Sequence, residues 1–63
     1  MKLNADEKRI LEDFLLESED YSDYKDIKQM AETFSTLVSK NKREEFFNLL
    51  ISEWEIKAIE SFT

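Results

Sequence analysis

DYKDIKQMAETFSTLVSK, residues 23–40, decides the fold, because its apolar residues recur at helical spacing and nowhere at strand spacing. Tyr24, Ile27, Met30, Ala31, Phe34, Leu37 and Val38 fall three and four residues apart. Lys25, Asp26, Gln29, Glu32, Thr33 and Thr36 fill the opposite side, so the segment is an amphipathic helix with one face for a core. Ser22 or Asp23 supplies an N-cap oxygen, and Lys40 puts positive charge where the helix dipole favours it. These signals predict a helix near 23–39.

Working outward towards the N-terminus, residues 18–23 are polar, acidic and rich in turn formers, and they end an earlier helix. That helix opens at Asn4. Glu7, three residues on, completes a capping box, Asp6 adds acid to the first turn, and Leu3, Ile10, Leu11, Phe14 and Leu15 make the apolar stripe. Its expected span is 4–17.

Towards the C-terminus the pattern is crowded. Phe46, Phe47, Leu49, Leu50, Ile51, Trp54, Ile56, Ile59 and Phe62 would surround one straight helix on every side. A break at Ser52 divides them into two arcs, and Ser52-Glu53-Trp54-Glu55 has the form of a capping box. Asn41-Lys42-Arg43-Glu44 offers a cap for the helix before it. The preferred division is therefore four helices, near 4–17, 23–39, 41–51 and 53–62. The competing division has no break and a long last helix covered on two sides, by its own core and by a partner or second copy. Either way the sequence predicts an all-α chain, one domain over 1–63, built as a compact bundle of three to four short helices.

The chain of 63 residues contains no glycine, proline, cysteine or histidine. Phosphate-cradling loops, thiolate nucleophiles, ordinary zinc sites and neutral-pH proton shuttles are built from those residues, so the expectation is a non-enzyme with no cofactor and no metal. The serines have no partner in a nucleophile spacing. No apolar run approaches the length of a membrane span, and we expect a cytoplasmic, unprocessed chain with no membrane role.

The net charge of −6 is unevenly spread. Residues 1–32 carry ten acids against five bases, and residues 33–63 carry five against four. Such a surface repels phosphate backbones and anionic lipid, which disfavours direct nucleic-acid binding and points to another protein with a basic surface. The candidate acidic edge is Glu12, Asp13, Glu17, Glu19, Asp20, Asp23 and Asp26. It lacks the glycine and the closing glutamate of a calcium loop, and nothing around it would raise the pKa of a catalytic carboxylate. The candidate hydrophobic contacts are Phe46, Phe47, Trp54, Ile56 and Phe62, since aromatic side chains concentrate at interface centres.

These features favour a small acidic protein-protein interaction module, an inhibitor or adaptor that masks a basic surface, with a nucleic-acid-binding protein as the natural target of such a mimic. A second reading is a self-assembling helical homodimer with a structural role. A third is a small DNA-binding regulator acting through Lys40, Lys42 and Arg43, since Leu50-Ile51-Ser52-Glu53-Trp54-Glu55-Ile56-Lys57-Ala58-Ile59 resembles the helix opening common in helix-turn-helix regulators.

Overall fold

The computed structural model describes residues 2–61. Within them the chain forms α1 (Ala5–Ser18), α2 (Tyr24–Ser35), a single 3-10 turn (Lys40–Lys42) and α3 (Arg43–Ser61), running up, down and up. The all-α bundle read from the sequence is what forms.

α1 begins as its sequence requires. Asn4 Oδ1 accepts from the Glu7 N–H at 2.8 Å, and the Glu7 carboxylate accepts from the Asn4 N–H at 3.0 Å, closing the capping box. Glu7 is buried, and its second oxygen lies 3.5 Å from Lys42 Nζ. One carboxylate thus satisfies the start of α1 and ties it to the turn that precedes α3.

α2 starts at its expected cap, with the Asp23 carboxylate accepting from the Lys25 N–H at 2.9 Å. It ends at Ser35, about a turn short of the expected 39. The cause is a run of hydroxyl side chains that bond back to the backbone and compete with helix continuation. Ser35 Oγ donates to the Glu32 carbonyl at 2.7 Å, and Thr36 Oγ1 donates to the Thr33 carbonyl at 2.6 Å. The N–H groups of Thr36, Leu37 and Val38 shift to carbonyls three residues back. The turn buries Val38 but leaves Leu37 64% exposed, so Leu37 is not part of the core stripe.

Beyond this turn Arg43, and not Lys40, supplies the cation. Its guanidinium donates to the Thr36 carbonyl at 3.2 Å and to the Val38 carbonyl at 3.3 Å. The expected Asn41 cap is replaced by the 3-10 turn, in which the Lys42 N–H donates to the Ser39 carbonyl at 2.8 Å.

α3 corrects the preferred four-helix division. It is continuous from Arg43 to Ser61, and Ser52 sits exposed in its interior. Propagating a formed helix adds a hydrogen bond for each residue fixed, whereas a break leaves end groups that must all be capped afresh. With no glycine or proline to force the break, the capping box at Ser52 is not used.

The buried core consists of Phe14 from α1, Ile27 and Ala31 from α2, Val38, and Phe46 and Leu50 from α3. Phe34 meets Phe14 edge to face, with ring centroids 5.7 Å apart. Domains of this size have about 3 to 9 kcal/mol of stability. Truncating Phe46→Ala is expected to cost about 3 to 5 kcal/mol and remove most of the cooperative urea transition followed by circular dichroism. Asn4→Ala, which removes one cap, is expected to cost only about 1 kcal/mol in the same measurement.

Candidate protein-docking pole

The up-down-up order brings the C-terminal ends of α1 and α3 and the N-terminal end of α2 to one end of the bundle. Two contacts close that end. Lys57 Nζ lies 3.7 Å from the Glu19 carboxylate, and the Tyr24 and Trp54 rings tilt against each other at 6.0 Å.

Between the 19–23 connection and α3 lies an open, mainly apolar cleft of about 410 Å³. Leu15, Tyr21, Trp54 and Ala58 form its apolar lining, and the Glu19–Lys57 pair borders it. Because α3 buries only Phe46 and Leu50, both in its first half, its second half is covered on one side alone. Ile56 is 51% exposed and Ile59 is 64% exposed.

The expected acidic residues divide by position. Glu17, Glu19, Asp20, Asp23 and Asp26 gather at this pole, while Glu12 and Asp13 lie further back along α1; all seven are exposed. Two also have structural work, since Asp23 caps α2 and Glu19 pairs with Lys57. The expected hydrophobic contacts divide more sharply. Phe46 is fully buried and has no surface to offer, which corrects its place among the contact residues: its position on the face shared with Leu50 puts it in the seam with α1 and α2. Phe47 and Trp54 are half-buried against the core, and Ile56 is exposed. Phe62 lies outside the described residues.

Ile59, Tyr21 and Lys57 were not among the expected contact residues. On an unbroken helix Ile59 lies about 140° round from Phe46, so continuity of α3 is the signal that would have found it. Tyr21 was hidden in a segment whose charge dominates its reading.

The pole also holds the molecule's net charge. Residues 17–26 and 51–61 carry eight carboxylates against two basic groups, Lys25 and Lys57, whereas the rest of the chain carries seven of each. α1 and α3 both end here with no basic residue in their last turns, so the negative ends of two helix dipoles add to the field. Among the described residues no group of three or more histidine, cysteine, aspartate or glutamate side chains could hold a metal ion, and no helix is long and apolar enough to cross a membrane.

Compared with known proteins, the chain matches no family model, no curated protein and no solved structure.

The tryptophan at position 54 is the only one in the chain and reports on this field. Relative to free N-acetyltryptophanamide, its fluorescence is expected to be quenched more efficiently by caesium than by iodide at low ionic strength. The difference should collapse near about 0.5 M salt, where the Debye length falls below about 5 Å. Equal ratios to free N-acetyltryptophanamide for the two ions at low salt would contradict a negative pole.

Proposed function

We propose that this chain is a small acidic protein-interaction module, an inhibitor or adaptor that covers a basic surface on a partner protein. The observation that carries the proposal is the coincidence, at one end of the bundle, of the whole net charge with exposed apolar side chains of α3. Carboxylates attract a basic surface from a distance and set its orientation, and apolar contacts then slow its release. A protein whose basic groove accepts nucleic acid has the surface that such a pole suits, and occupying that groove would block it.

The basic groups do not offer the same support to a DNA-binding reading. Arg43 is committed to the carbonyls of Thr36 and Val38, and Lys42 is paired with Glu7. They sit where the 3-10 turn meets the start of α3, and there they hold elements together.

The test is affinity capture by the native chain and by a variant carrying Glu17→Gln, Glu19→Gln and Asp20→Asn. Asp23 is left intact because it caps α2. The expected partner is retained at low salt, released as salt rises, displaced by duplex DNA, and retained about tenfold less by the variant. Equal retention by the native chain and the variant would overturn the role given to the acidic pole.

A further inference from the structure

We infer that the outer face of the C-terminal half of α1, with a cleft on each side of it, docks a short basic segment of the partner that carries one large apolar side chain. This rests on the acidic-module reading above and adds which face is used and which side chains it takes.

Three consecutive residues of α1 divide between the two clefts. Leu15 lines the apolar cleft against α3, Glu17 lines a second, more open one of about 320 Å³ against α2, and Leu16 stands between them. At about 100° per residue Leu16 falls on the side of α1 opposite the buried Phe14, and it is 65% exposed. Tyr21, just past the end of the helix, lines both clefts and so forms the ridge that parts them.

The clefts differ in charge. Glu19 and Lys57 are the charged residues lining the first, and they neutralise each other at 3.7 Å. What remains is a pocket whose larger side chains, Leu15, Tyr21 and Trp54, suit an apolar group. Glu17 and Asp26 line the second cleft with no basic residue among its lining side chains, and Met30 and Phe34 give it apolar walls. Two carboxylates beside apolar surface suit a lysine or arginine, whose methylenes cover the walls while its charged head meets the acids.

The ground between the clefts is acidic as well. Glu12, Asp13, Glu19 and Asp20 stand three and four residues from Leu16 in either direction, and all four are exposed. Among the described residues only Glu19 of the four is in an ion pair; Lys8 and Arg9, one turn before Glu12 and Asp13, are not within ion-pair distance of them. An exposed leucine among carboxylates left without a counter-charge favours a chain that is cationic around an apolar group. It disfavours a second copy of a molecule whose own net charge is −6. Ile56 and Ile59 lie on the far side of α3 from the first cleft and take no part in this surface.

The experiment titrates the full chain with a peptide of about nine residues, lysine throughout except for one central leucine, and in parallel with an all-lysine peptide of the same length. Lysine on both sides of the leucine presents a cation whichever way the peptide crosses the ridge. Trp54 emission reads occupation of the first cleft, circular dichroism of each variant verifies its fold, and light scattering gives the mass of the complex. The expected result is a saturable blue shift at one leucine peptide per chain, with binding about tenfold tighter than that of the all-lysine peptide. Ala58→Leu, which fills the first cleft, should bring the two peptides to within about twofold of each other, and Glu17→Gln with Asp26→Asn should weaken both about fivefold. Ile56→Ser with Ile59→Ser should leave both unchanged. Equal binding of the two peptides by the native chain, with unchanged Trp54 emission, would overturn this site and leave the acidic-module reading standing. A leucine preference lost in the isoleucine variant would do the same. No binding of either peptide at low salt would overturn both. A dimeric mass without peptide that Leu16→Ser returns to a monomer would give the face to a second copy and overturn the assignment.

Discussion

The seam formed by Phe14, Ile27, Phe46 and Leu50 is the constraint on which the rest of the molecule depends. A chain this short encloses little, and its fully buried large side chains sit where the three helices come together. α3, with 19 residues, extends about 28 Å, longer than the layer that α1 and α2 provide for it. Only its first half is therefore enclosed. The second half is held by Trp54 and Ala58 along one side, and the apolar residues on its other side remain in water. The exposed isoleucines follow from matching a long helix to a short core.

Much of this was legible in the sequence, and what was not has identifiable causes. The Asn4 capping box, the Asp23 cap and the amphipathic face of α2 are local signals, and local hydrogen bonding realises each of them. The end of α2 was less legible. Its apolar period runs on through Leu37 and Val38, but the hydroxyl groups of Ser35 and Thr36 redirect the backbone before that period is used. At Ser52 the opposite happened: a good capping signal lies inside a helix already under way, where continuation is favoured over a new start. Phe46 and Ile59 changed places for the same reason. Once α3 is continuous, its first turns turn Phe46 inwards, and its last turns carry Ile59 round to the outside.

Connections in this chain are made without glycine or proline, and the described residues contain no positive φ angle. The turning is done by side chains. Asp23 caps the start of α2, Ser35 and Thr36 end it, and Arg43 gathers the carbonyls left over. Glu7 does similar work at the opposite end of the bundle, where it joins the first turn of α1 to Lys42. Lys42 and Arg43 are thus committed to the end where the start of α1, the end of α2 and the start of α3 are tied together, while the excess of acid lies at the other. Segregation of charge is, in part, a by-product of how the connections are built.

That segregation gives a body 34 Å long a permanent electric moment. In the field of a positively charged neighbour, a molecule with its excess charge at one extremity experiences a torque as well as a pull. Tumbling becomes biased before the two surfaces meet, and a larger share of collisions arrives with the negative extremity foremost. The trajectory is selected in advance by an asymmetry that requires no moving part.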